Sequence, residues 1–482
     1  MQRRARLAIA ASTIAFLAGG AAPAAAQDSE VVSLLRDLVR IDTSNPPGNE
    51  AAVDELLRAR LAPLGFQVEI VPTPAPGKSH LIARLPATAP SGEGPLLLAG
   101  HADVVGVERP LWTKDPFGAE IEDGLLYGRG ALDFKGGLAA FTVAAMRLAR
   151  EGAPRTRDLI LLSEADEEGG VYGTTWLAEN HWDKIAATES INEGGWIFRG
   201  GRGGASLMGI TTIDKNSLSV TFRTRGTSTH SSRPLPDSAL RRLARALDRV
   251  EDYDTAPRVT PVARTYLRAW ARASSGRTAR RLRAITQTRR PARLRRLANR
   301  LRDGRFGELF DGLVRNIFVP TIVEGGFRAN VLPGTAEATV NMRMLPGQKP
   351  RPLIRELRRV VRDPRVEITP IVTGDATVEE TLDRFDERAE QAPSSIDTDL
   401  FRTLAREGRR QWPGVQVTPA LFEAGTDATP WRQRGIPVYG VYPYPISLAD
   451  LRAMHGNDER VPVRGLEQGT DMLTRVLREA VG

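Results

Sequence analysis

The sequence predicts an α/β fold with helices on both faces of a mixed sheet, interrupted by an inserted α+β domain. Short apolar runs alternate with helical periods from Val31 to Ser163, the pattern of strands covered by helices. Near Ile213 the texture changes to strands with one buried face around a single helix. A length of 482 residues exceeds one ordinary core, and 41% apolar with 26% charged residues is the balance of a folded chain.

In chain order, Arg3, Arg4 and Arg6 precede an apolar stretch from Leu7 to Leu17 and the small residues Ala24, Ala25 and Ala26. This is the layout of a cleavable export leader over residues 1–26, and it predicts a periplasmic or secreted protein. The stretch is short for a bilayer span, and no later one is long and apolar enough. Losing the leader's three arginines would take the formal charge from +9 to +6. With no cysteine there can be no disulfide and no thiolate ligand, so any zinc must rest on His, Asp and Glu.

An amphipathic helix is expected over Val31–Arg40, and the turn Asn45-Pro46-Pro47-Gly48 leads to a second helix through Leu56, Leu57 and Leu61. Gln67–Val71, Leu81–Leu85, Leu96–Ala99 and Leu159–Ser163 read as strands, and a helix begins near Lys135. Residues 27–212 are thus the first part of the larger domain. Residues 213–344 form the insert, where Ser217–Arg225 and Thr335–Met344 alternate about the helix Ser238–Val250. Residues 345–482 return to the first texture, with helices at Leu353–Val361, Leu400–Gln411 and from Leu466, and a strand at Val438–Val441.

Between about 258 and 315 the insert turns helical, and Arg277–Arg302 holds eleven arginines. Leu282, Ile285, Leu294, Leu297 and Leu301 fall at helical spacing among them, and Pro291 breaks the run. The plainer reading is a solvated basic face. The sharper one is a basic amphipathic lid in weak contact with a membrane surface or a fatty substrate. Nucleic acid is not expected, because aromatics do not interleave with the arginines.

Five segments carry the chemistry. Leu96–Asp103 is a buried strand ending in His101-Ala102-Asp103, and alternation puts His101 and Asp103 on one side, where Asp103 can orient the imidazole. Glycines flank Asp133 just before a helix start, and one carboxylate can bridge two cations through its two oxygens. Asp166-Glu167-Glu168 leaves a strand as an acidic cluster, which repels itself unless cations neutralise it. Adjacent glutamates can divide labour, Glu168 as ligand and Glu167 as proton acceptor. Glu193 and His455 sit in further glycine-flanked loops. Taken singly, each has a bland reading as a core histidine, a helix-capping Asp or a solvated loop.

Together these segments resemble the superfamily of dinuclear zinc peptidases that includes aminoacylase, carboxypeptidase S, glutamate carboxypeptidase and succinyl-diaminopimelate desuccinylase. The likeness runs over nearly the whole mature chain, from Asn45-Pro46-Pro47-Gly48-Asn49-Glu50 through His101-Ala102-Asp103-Val104-Val105 and Gly128–Asp133 to Met454–Glu459. It implies a zinc-peptidase-like catalytic domain and an inserted lid or dimerisation domain. It implies two zinc ions, replaceable by cobalt or manganese: one on His101, Asp133 and Glu193, the other on Asp133, Glu168 and His455. Glu167 would be the general base and Asp103 the acid behind His101. His230 would stabilise the oxyanion, in many relatives from a partner subunit, so a homodimer is implied. Asn330, Arg343, Gly425, Thr426 and Asp427 would grip the substrate carboxylate, and the peptide bond Asp133–Phe134 would be cis. The implied activity is cleavage of an N-acyl amino acid or a short peptide. A reading from another class is a catalytically silent binding protein for lipid or anionic polymer.

Overall fold

The computed structural model describes residues 28–200, 205–236, 238–304 and 306–482; the leader expected over residues 1–26 lies outside them. Helix α1 (Glu30–Arg40) buries Val31, Leu34, Leu35 and Leu38, and α2 (Glu50–Leu61) follows the Pro-Pro turn. Strands β1 (Gln67–Pro72), β2 (Ser79–Leu85) and β3 (Leu96–His101) come next. Helix α3 (Lys135–Glu151) leads to β4 (Leu159–Glu164) and β5 (Glu189–Asn192). Then come β6 (Ile197–Arg199) and β7 (Ala205–Asp214).

The chain next leaves this body through β8 (Asn216–Arg225) and α4 (Ala239–Glu251), the latter capped by Ser238, which accepts from the Arg241 N–H. Four helices follow: α5 (Pro261–Ala273), α6 (Gly276–Gln287), α7 (Pro291–Arg302) and α8 (Gly307–Val314). Strands β9 (Ile317–Gly325) and β10 (Thr335–Met344) precede α9 (Pro350–Val361), β11 (Glu367–Pro370) and α10 (Val378–Ala389). After α10 the chain returns to the first body with α11 (Asp399–Gln411), β12 (Gln416–Phe422), β13 (Val438–Gly440), β14 (Pro445–Ile446) and α12 (Val463–Val481).

Among the described residues the largest sheet has ten strands, in the order β1-β2-β4-β3-β5-β13-β7-β6-β14 with β12 beside β7. Its centre is parallel (β4 with β3, β3 with β5, β5 with β13) and β1 and β2 pair antiparallel at one edge, so it is mixed as expected. Alternation along β3 explains its two covered faces. Leu96 and Leu98 enter the larger core beneath α1, α3 and α12, whereas Leu97 and Ala99 enter a second cluster with Leu177 and Trp431. The second sheet, β9-β10-β8-β11, is wholly antiparallel and has its own core, built from Val220, Phe222, Leu243 and Val340.

Two boundaries differ from the sequence reading. The insert does not end at residue 344. Helix α9 buries Leu353, Ile354, Leu357 and Val361 in the second core, and β11 pairs with β8, so the unit runs to about the end of α10. An amphipathic period fixes which face of a helix is apolar, but not which core that face meets. Conversely, the arginine-rich helices do not belong to the second unit. Tyr266, Leu267, Trp270, Leu282, Ile285 and Leu301 are buried in the first core. The apolar stripe expected to make an amphipathic lid is therefore consumed by packing on the larger body.

Candidate metal centre

The site forms where three neighbouring parallel strands end, the usual place for ligands in an open α/β sheet. His101 is the last residue of β3, the Glu167–Glu168 turn follows β4, and Glu193 follows β5. Asp133 precedes α3 across a cis peptide bond to Phe134, as the resemblance implied. His455 arrives from far along the chain in a tight turn with φ +56°.

The Asp133 carboxylate stands between the two imidazoles. Its Oδ1 lies 3.3 Å from His101 Nε2 and its Oδ2 lies 3.1 Å from His455 Nε2. Glu193 Oε2 is 3.6 Å from His101 Nε2, and Glu168 Oε1 is 2.9 Å from His455 Nε2. Three groups offer donor atoms all within 4.8 Å of one another: His101–Asp133–Glu193, Asp133–Glu168–His455 and His101–Glu167–Glu168. The first two share Asp133 and leave Glu167 outside. Imidazole nitrogen and carboxylate oxygen are the donors that suit zinc and similar divalent ions.

The electrostatics describe a place short of positive charge. Burial, then the charges of Glu193, Asp427 and Glu168, push Glu167 well above the carboxylate range. Burial also raises Glu193 to about 8, with Asp133 adding to the effect and His101 opposing it. Burial would lower His455, but Asp133 and Glu168 override it and push the imidazole up to about 11. Such a cluster is relieved by bound cations, so the residues present fit a pair of divalent ions.

Asp103 behaves differently in detail from the expectation. His101 Nδ1 meets the Asp103 backbone carbonyl at 2.9 Å, with the carboxylate 3.6 Å away, too long for a hydrogen bond but close enough to lend charge. The carboxylate instead accepts the N–H groups of Glu167 (3.1 Å) and Glu168 (2.9 Å) and the Asn45 amide (2.8 Å). It therefore fixes the Glu167–Glu168 turn as much as the imidazole. Among the described residues the Glu167 carboxylate has no hydrogen bond or ion pair. Burial lowers the half-buried Arg343 guanidinium on β10, and the charges of Glu167, Glu168 and Glu423 oppose that, so the second unit places a guanidinium within electrostatic range of this site.

Other expected positions are used elsewhere. Thr426 Oγ1 donates to Asp214 (2.6 Å), and Asp427 Oδ1 accepts from Thr174 (2.9 Å), so the turn from Gly425 braces the site from behind. His230 and Asn330 lie next to each other and exposed: Ser231 N donates to the Asn330 carbonyl, and His230 Nδ1 meets Ser232 Oγ at 2.8 Å. Among the described residues neither bonds to the carboxylate cluster.

Sequence reasoning missed three supports. Tyr442 OH donates to Asp133 Oδ1 (2.7 Å) and also reaches Glu193 Oε2 (3.1 Å). Glu459 accepts the N–H groups of Leu132 and Asp133 and pairs with Arg129 at 2.6 Å, both side chains almost wholly buried. Arg388, at the end of α10, donates to Thr429 and carries the charges of Asp214, Asp427 and Glu167. Arg129 and Glu459 lie inside motifs already singled out, but their pairing across 330 positions is invisible in one sequence.

Parallel-strand ends carrying two overlapping histidine–carboxylate sets, beside a smaller antiparallel domain, make a site that could hold two divalent ions and activate water. The chain belongs to peptidase family M20/M25/M40, whose model matches residues 97–479, which makes it a metallohydrolase of peptide or N-acyl amide bonds. It is 27% identical over 394 residues to a probable carboxypeptidase S-like protein of Dictyostelium discoideum, covering 80% of this chain and 71% of that one. It is 25% identical over 404 residues to the human N-fatty-acyl-amino acid synthase/hydrolase, covering 80% and 74%. Among solved structures, an M20 family metallo-carboxypeptidase from Sulfolobus solfataricus superposes with a TM-score of 0.66 at 18% identity, covering 93% and 99% of the two chains. Human carnosine dipeptidase 1 gives 0.65 at 17%, covering 93% and 95%. Both share the fold.

Proposed function

We propose that the protein removes an amino acid from an N-acyl group or a short peptide, outside the cytoplasm, using two zinc ions. His101, Asp133 and Glu193 would hold one ion, and Asp133, Glu168 and His455 the other. The observation that carries this reading is the Asp133 carboxylate, which offers a different oxygen to each histidine. When bound, the ions supply Lewis acidity that lowers the pKa of water and polarises the scissile carbonyl. Glu167, unbonded and held above the carboxylate range, takes the proton of the attacking water and delivers it to the leaving amine. Asp103 keeps the Glu167–Glu168 turn in place during that transfer. Arg343 receives the substrate carboxylate. His230 and Asn330, exposed on the smaller domain, approach the site by closure of the two units or from the second subunit of a homodimer, and His230 then donates to the oxyanion.

Glu167→Gln separates this reading from a silent binding protein. The expected result, on a panel of N-acyl amino acids and dipeptides with added zinc, is turnover reduced by roughly 10²- to 10⁴-fold with the zinc content unchanged. Wild-type protein that takes up zinc but cleaves nothing on the panel would contradict it.

A further inference from the structure

Residues 255–302 contain fifteen arginines and neither aspartate, glutamate nor lysine, so everything outside this segment sums to −6. Most of these guanidiniums are unneutralised. Among the described residues only Arg295 and Arg302 have a carboxylate within 4.0 Å, namely Asp254, with Asp311 also beside Arg302. Arg277, Arg280, Arg283, Arg289, Arg290, Arg293, Arg296 and Arg300 are exposed.

The fold sorts the segment by face. Leu282, Ile285, Ala298 and Leu301 turn into the larger core, and the outward side of α6 and α7 is left cationic. Arg280, Arg283 and Arg293 line a cleft of about 400 Å³ between these helices, together with Gln287 and Thr288. That space suits an anionic headgroup. The next helix, α8, is tied to segments that lead toward the candidate metal centre. Glu308 on α8 pairs with Arg452 at 2.7 Å, three positions before His455, and Lys215, where the chain enters the second unit, donates to the Gly312 and Arg315 carbonyls.

We propose that the outward face of α6 and α7 is a docking platform for an anionic bilayer surface. The attraction is electrostatic, at the level of the headgroups, because no apolar stripe is left to insert. A flat nucleic-acid site is disfavoured: Tyr266 and Trp270 on α5 are buried, leaving these helices no exposed aromatic to stack on a base. The inference is independent of the hydrolytic reading, since none of these arginines takes part in it.

The experiment is co-sedimentation of the full chain with vesicles of phosphatidylglycerol and phosphatidylcholine, and with phosphatidylcholine alone. Wild type should bind the anionic vesicles only and be released as salt rises from about 0.1 M to about 0.5 M. Changing Arg280, Arg283, Arg289, Arg290, Arg293 and Arg296 together to Gln should weaken partitioning at least about a hundredfold. The same six changed to Lys should bind within about threefold of wild type, and both variants should keep wild-type activity on a short soluble N-acyl amino acid. Equal binding to neutral vesicles, undiminished binding of the Gln variant, loss of binding in a folded Lys variant, or tighter binding to duplex DNA than to anionic vesicles would each overturn the proposal.

Discussion

Asp133 is the residue on which the site turns, and its environment is built to hold both oxygens in place. The Tyr442 hydroxyl touches Asp133 and Glu193 together. Tyr442→Phe keeps the buried ring and removes that bond. It should weaken metal binding by roughly 10- to 100-fold in a chelator competition while leaving the melting temperature nearly unchanged. Glu50, which accepts the Asp166 N–H beside the Glu167–Glu168 turn, gives a pH signature. Burial pushes its carboxyl up to about 7, assisted by Asp103 and opposed by Lys78. An acid whose folded pKa is raised binds more protons folded than unfolded between its unfolded value, near 4.5, and 7, so stability falls as pH rises through that window. Thermal melts from pH 4.5 to 7.5 should show this fall in the wild type and a flatter profile in Glu50→Gln. At this scale the residues gathered around Asp133 were legible as candidate ligands, because each stands at the end of an apolar run beside glycines or acids. Tyr442 was not, since an aromatic in a buried run looks like core until Asp133, 309 positions away, is seen beside it.

At the scale of elements, two loops have to meet, and the Arg129–Glu459 pair is what joins them. Glu459 accepts the Leu132 and Asp133 amides, while Arg129 also donates to the Gly456 carbonyl and lies over the Trp112 ring. The pair thus fixes the Asp133 turn against the His455 turn. Arg129→Met would leave the Glu459 carboxylate buried without its partner, a change that typically costs about 3–5 kcal/mol. Chemical denaturation should show a loss of that order, accompanied by reduced zinc affinity. A variant as stable as wild type would mean the two turns are held by something else. Most helices and central strands of the larger body were readable from apolar period alone. The short strands β6 and β14 and the true end of the second unit were not. The four apolar residues of α9 repeat like those of any surface helix, and only β11 pairing with β8 shows which body owns it.

For the whole molecule, the chain crosses between the two bodies four times: at Asp214–Asn216, between α4 and α5, between α8 and β9, and after α10, where Ser394 N returns to the Thr212 carbonyl. Arg388 and Arg343 reach from the smaller body toward Glu167, so their relative position sets the charge around the site. The sequence offered two readings of Arg277–Arg302, a solvated basic face or an amphipathic lid; the arginines are solvated as in the first, and the apolar side of helices α5–α8 seals the larger core. Deleting residues 258–314 would uncover Tyr266's neighbours on β7 and β12, and the shortened chain should lose cooperative melting and bind a hydrophobic dye. A deletion that melts like wild type would contradict that placement.

The most direct test of the central claim is diffraction from zinc-loaded crystals at the zinc absorption edge. Two anomalous peaks about 3.5–4 Å apart, one on each side of the Asp133 carboxylate, are expected. His455→Ala should lose the peak beside Glu168 and keep the one beside Glu193. A single peak, or two peaks that do not share Asp133, would contradict the account.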